Sequence, residues 1–150
     1  MTEYNAKAAI MVAASPVICH DTFAKPERLT RFWFPRVSGP IRPGADLEWY
    51  MGEEKDAQCI PVTIDDAFPG DSIDMRWGSG ETETHVSWTF TEKGPHTEIK
   101  VVESGFKGSE DDKMTRALTQ TAVLNQVLVA AKAQIEHDVD INVIEDRAAG

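Results

Sequence analysis

Cysteine is scarce in this chain, and the two residues present, Cys19 and Cys59, stand far apart with no CxxC spacing. A disulfide framework needs more of them, so free thiols in a reducing compartment are expected. Histidine is nearly as rare, and none has partners at metal-ligand spacing, so no metal site is expected. Long apolar runs are missing too. Every stretch falls well short of the roughly 20 residues a membrane helix requires. The opening Met1-Thr2-Glu3-Tyr4-Asn5 has neither the basic nor the apolar region of a secretory signal, which makes a cytoplasmic location the expectation by elimination. Positive charge is outnumbered, 15 Lys and Arg against 25 Asp and Glu, for a net charge of −10. Such a surface repels phosphate backbones and anionic lipid, so neither nucleic acid nor a membrane is an expected partner. P-loop, GxGxxG and HExxH patterns are absent, and no cofactor is expected.

What is present suits one globular domain. A chain of 150 residues can bury a substantial core, and 41% hydrophobic with 27% charged residues separates it from disordered sequences. We read a single domain over 1–150, with its core at about 7–136 and an acidic tail at 138–150. The acidic clusters at Glu110-Asp111-Asp112 and from Glu136 to Asp146 read as solvated faces.

Local patterns give the element order. The short apolar run from Lys7 to Ala14 predicts an opening strand. Ser15 then suits a helix N-cap and Pro16 the first turn, where a missing N–H costs nothing, so a short helix is expected from Pro16 to about Phe23. A second follows from Pro26 to Phe34, with Leu29, Phe32 and Trp33 on one side. The proline-rich segment from Pro35 to Pro43 must be irregular or edge-like. Strands are expected at Asp46–Met51, Gln58–Phe68, Ser72–Trp77, Glu83–Thr91 and His96–Ser104, joined by short Gly, Pro, Asp and Ser clusters. Links that short mean antiparallel hairpins.

Period-two alternation places Leu47, Trp49, Met51, Ile60, Val62 and Ile64 on one apolar face, continued by Ile73, Met75, Trp77, Val86, Trp88, Phe90, Ile99 and Val101. The other face carries Asp74, Arg76, His85, Glu98 and Lys100, where Arg76 and Lys100 are expected to form surface ion pairs with Asp74 and Glu98. A sheet with one oily side needs a cover. Ser109 and Asp112 form a capping-box pattern, and helical periodicity runs from there to about His137, with Met114, Leu118, Thr121, Leu124, Leu128, Ala131 and Ile135 along one stripe. At 1.5 Å per residue that helix is about 35–40 Å long. The tail beyond Asp138 mixes Ile141, Val143 and Ile144 with acids and is expected to dock weakly or fray.

Ser15-Pro16 after the first strand, Lys25-Pro26-Glu27-Arg28-Leu29 leading into Arg31-Phe32-Trp33, Arg42-Pro43-Gly44-Ala45, and Glu103-Ser104-Gly105-Phe106 occur in that order. Together they resemble the landmarks of START-related (SRPBCC) proteins, within the branch homologous to the activator of heat-shock-protein ATPase. The resemblance covers about residues 7–136. It implies an α+β helix-grip fold: a curved antiparallel sheet of about six strands around a long C-terminal helix, two short helices after the first strand, and a pocket between sheet and helix. Two positions depart from the pattern. Ala45 replaces the second glycine of a Gly-Gly pair, and Glu103 stands where many relatives carry histidine.

Glu103 is the most informative polar residue, because alternation puts it on the inward face with Ile99 and Val101, where a carboxylate is costly unless paired or facing a wet cavity. It would accept a hydrogen bond from a ligand or act as a general base; alternatively it sits at the sheet rim and meets water or a backbone amide. Phe32, Trp33, Trp49, Met75, Trp77, Trp88, Leu124 and Leu128 are the candidate apolar lining, and the same residues could simply fill the core. Cys19-His20 does not read as a nucleophile–base pair, since helical neighbours point about 100° apart. Three functions compete: binding of a small apolar or aromatic ligand, a cyclase or hydratase using the same cavity with Glu103 as acid/base, and a module that modulates a chaperone ATPase. Homodimerisation through a sheet edge or the apolar tail is the remaining partner expectation.

Overall fold

The structure, a computed structural model, describes residues 3–146. Seven strands form one antiparallel sheet: β1 (Ala6–Val12), β2 (Arg36–Val37), β3 (Asp46–Tyr50), β4 (Cys59–Phe68), β5 (Ser72–Trp77), β6 (Thr84–Lys93) and β7 (His96–Ser104). Their order across the sheet is β1-β7-β6-β5-β4-β3-β2, so the meander from β2 to β7 is extended by the N-terminal strand beside the last one, and β1 and β2 form the two open edges. Helices α1 (Pro16–Ala24) and α2 (Pro26–Phe32) follow β1, and α3 (Glu110–His137) runs across the oily face. A four-residue helix α4 (Val143–Asp146) ends the described chain. This is the α+β helix-grip arrangement that the motif order implied.

The helix starts are set by local chemistry. Ser15 Oγ accepts from the Ile18 amide at 3.3 Å, and Pro16 occupies the first turn of α1. At α3 the capping box is complete: the Asp112 amide donates to Ser109 Oγ at 3.1 Å, and the Ser109 amide donates back to Asp112 Oδ2 at 3.3 Å. Three acids in the first turn complement the helix dipole.

Four features differ from the sequence expectation. The proline-rich segment is edge-like as expected but adds a short seventh strand, β2, beside β3, with Pro35, Pro40 and Pro43 all outside the ladder. Helix α2 stops at Phe32, two residues early, because Pro35 disfavours helical geometry in the residue before it. The stripe on α3 also starts differently. Leu124, Leu128 and Ala131 are buried as expected, but Met114 and Leu118 are 43% and 67% exposed. Met51, expected inside, is 37% exposed at the end of β3. Met51 lines an open space described below, and the early turns of α3 turn Thr115, Thr119 and Gln120 toward that space, which leaves Met114 and Leu118 outside its lining.

Behind that space the core is aromatic. Trp33 sits 5.5 Å from Trp49, 5.6 Å from Trp77 and 5.8 Å from Trp88 between ring centroids, all edge-to-face. Such pairs add roughly 0.5–1.5 kcal/mol each beyond area burial. On the outer face Arg76 pairs with Asp65 at 2.9 Å across the strand pair, while Asp74, its expected partner, accepts from Ser87 at 2.6 Å. The β4 irregularity between Ile64 and Asp66 accompanies this exchange of partners. Among the described residues, no helix is long and apolar enough to cross a membrane.

Candidate functional site

A cavity of about 550 Å³ opens where the first half of α3 crosses the ends of β3, β4, β5 and β7. The sheet supplies Met51, Ile60, Trp77 and Glu103, and the loop after α2 supplies Phe34. Helix α3 contributes Thr115, Arg116, Thr119, Gln120 and Val123. Val143 and Ile144 of α4 complete the wall, so the tail, as far as residue 146, docks there; residues 147–150 lie outside the described residues. The tail is held from outside by Arg31, whose Nη2 lies 2.6 Å from Asp138 Oδ1 and 2.8 Å from Asp140 Oδ1. Asp138 turns the chain there with φ 53°, a left-handed conformation that ends α3.

Gly78 fixes the floor. It has φ +87°, and a Cβ at that position would meet the Thr82 carbonyl oxygen at 2.7 Å. Only glycine lets β5 turn into the 3₁₀ turn (Gly80–Thr82) so tightly beside the cavity.

Glu103 is the polar centre of the wall. It is 2% exposed, near the end of β7 opposite Val86 and Ala6. Three side chains hydrogen-bond to it. Trp77 Nε1 donates to Oε2 at 3.0 Å, Thr84 Oγ1 donates to the same oxygen at 2.5 Å, and Gln120 Nε2 donates to Oε1 at 2.9 Å. Trp77 Nε1 also reaches Thr84 Oγ1 at 2.8 Å, so indole, hydroxyl and carboxylate form one network. These bonds offset the cost of keeping a carboxylate away from bulk water.

The other charged group in the wall is Arg116. Its guanidinium donates to the carbonyls of Glu81, Thr82 and Lys107 at 3.3–3.5 Å and lies 5.3 Å from the Phe106 ring centroid. It braces the 3₁₀ turn and the loop before α3 at the rim.

Of the residues anticipated from the sequence, Trp77 and Glu103 line the cavity. Phe32, Trp33, Trp49, Met75, Trp88, Leu124 and Leu128 are all at most 2% exposed and form the packed layer behind it. Phe34, Thr115, Thr119, Gln120 and the α4 residues were missed. The available signal was the polar character of Thr115, Thr119 and Gln120 on a helix that covers a sheet, which marks a flank facing something other than core.

Cys19 and His20 are both buried in α1, and they do not make a reactive pair. Burial pushes the Cys19 thiol up and the His20 imidazole down, and neither His20 ring nitrogen has a hydrogen-bond partner. Among the described residues no cluster of His, Cys, Asp and Glu could hold a metal ion.

Solved structures share this architecture. DynU16, a protein in the dynemicin biosynthetic locus, superposes with a TM-score of 0.79 at 19% identity over 93% of this chain; the chain spans about half of DynU16, 49%. The protein SSP2350 from Staphylococcus saprophyticus gives 0.76 at 23% identity, with 97% of each chain covered. The Aha1 dimer from Colwellia psychrerythraea gives 0.70 at 16% identity, covering 91% of this chain and 98% of that one. At these identities the likeness establishes the fold alone. No curated protein matches the chain in sequence. The family model for Activator of Hsp90 ATPase homolog 1-like protein, however, matches residues 13–130, from the end of the first strand deep into α3, and the chain belongs to that family, within the SRPBCC superfamily.

Proposed function

We propose that this protein binds a small apolar or aromatic ligand in the cavity between the sheet and the C-terminal helix. The observation that carries the reading is the combination of about 550 Å³ of space, an apolar wall including Phe34, Trp77 and Val123, and one buried carboxylate at its edge. Ligand sites have this composition: mostly apolar lining with a few placed polar groups. The rigid indole layer of Trp33, Trp49 and Trp88 behind Trp77 keeps the wall in shape without a ligand. Glu103, held by three donors, orients the polar end of the guest.

The test is a titration with the fluorescent apolar probe N-phenyl-1-naphthylamine. A saturable rise with one site per chain is expected, weakened at least tenfold by Val123→Phe, which adds bulk to the cavity wall and leaves the four side chains of the Glu103 network unsubstituted. A linear, non-saturating response, or identical binding by the variant, rejects the reading.

A further inference from the structure

Two charged side chains face the cavity, and they are not equally available. Each oxygen of a carboxylate has about two acceptor positions. On Glu103, Oε2 is fully used by Trp77 Nε1 and Thr84 Oγ1. Oε1 receives only the Gln120 amide, which leaves one acceptor position on a buried anion at the edge of the cavity. Arg116 has its guanidinium turned to three backbone carbonyls and to the Phe106 ring. No other Lys or Arg belongs to the lining.

From this asymmetry we infer that the cavity selects ligands whose polar end donates a hydrogen bond, such as an alcohol, amine or amide N–H, over isosteric ligands that can only accept, carboxylates included. The inference rests on the binding function proposed above and specifies its ligand class. A donor completes the coordination of Glu103 Oε1. An ether oxygen placed there meets a lone pair and leaves that acceptor position of Oε1 unpaired. A ligand carboxylate placed at Oε1 adds like-charge repulsion inside a low-dielectric wall, which Arg116 offsets only from the rim, where its guanidinium is oriented by three backbone carbonyls. Sites built around a buried hydrogen-bonding group discriminate strongly against analogues that leave it unpaired.

The experiment compares three naphthalenes of one skeleton by calorimetry on the full chain at neutral pH: 2-naphthylmethanol, its methyl ether 2-(methoxymethyl)naphthalene, and 2-naphthoate. The alcohol should bind at least about tenfold more tightly than either of the others, the scale of one hydrogen bond to a charged acceptor. Ether or carboxylate binding as tight as the alcohol overturns the inference while leaving the binding function standing. Failure of all three to bind overturns both. In Glu103→Gln the alcohol's advantage should shrink to under threefold; an undiminished advantage removes Glu103 as its source. The wild-type comparison decides the selectivity even if that variant folds poorly.

Discussion

Gln120 on α3 donates its amide Nε2 to Glu103 Oε1 on β7 at 2.9 Å, a bond that joins helix and sheet at the edge of the cavity. It makes one carboxylate both a structural tie and the polar landmark of the cavity wall. Changes at Glu103 should therefore register in stability and in binding.

Glu103→Gln keeps the side-chain shape but turns one acceptor oxygen into an NH2 group facing existing donors. With Glu103 2% exposed, that mismatch should cost about 1–3 kcal/mol. Equilibrium urea unfolding measures it, and an unshifted midpoint would show that the network contributes nothing.

Two of the leucines of α3, Leu124 and Leu118, should behave oppositely. Leu124 is fully buried and Leu118 is 67% exposed. Leu124→Ala should cost about 2–5 kcal/mol through lost burial and a residual void, whereas Leu118→Ala should stay within about 0.5 kcal/mol. Similar losses at both positions would restore the stripe that periodicity suggested.

Stability should depend on pH through His20. Burial lowers its pKa from the usual 6.5, partly countered by Asp21. The unfolded chain then binds the proton more readily than the folded one, so the neutral imidazole's contribution is complete above about pH 6.5 and is lost as pH falls below it. Glu136, Asp65 and Asp138, held below their ordinary values by Lys132, Arg76 and Arg31, act in the same direction only below about pH 4.5. Between pH 7 and 5, His20→Phe should flatten the fall in unfolding free energy; an unchanged slope assigns it elsewhere.

Arg31 should latch the tail. Its bonds to Asp138 and Asp140 are exposed and open to screening by salt. Arg31→Ala should speed amide hydrogen exchange across 138–146 while leaving β6 and β7 unchanged. Uniform protection in both proteins would mean that Val143 and Ile144 hold the segment without it.

The architecture was legible because alternation, caps and turns agreed with one another. Trp49, Trp77 and Trp88 fell on the inner face by period two, and Ser109 with Asp112 marked the start of α3. Glu103 could be found for the opposite reason, as the residue that broke the apolar pattern of β7. Its partners could not. Thr84, Gln120 and Trp77 come from β6, α3 and β5, and no local rule joins positions so far apart in the chain. Met114 and Leu118 misled because hydrophobic periodicity assumes that a helix buries its apolar side along its whole length. The early turns of α3 instead direct Thr115, Thr119 and Gln120 to the cavity.

Amide and indole resonances followed during addition of 2-naphthylmethanol test the central claim most directly. Saturable shifts at the Trp77 indole N–H, the Gln120 side-chain amide, Val123 and Ile144 are predicted, with the outer-face residues Arg76 and Ser87 unmoved. Shifts confined to that outer face, or drifting without saturation, would contradict a ligand chamber between sheet and helix.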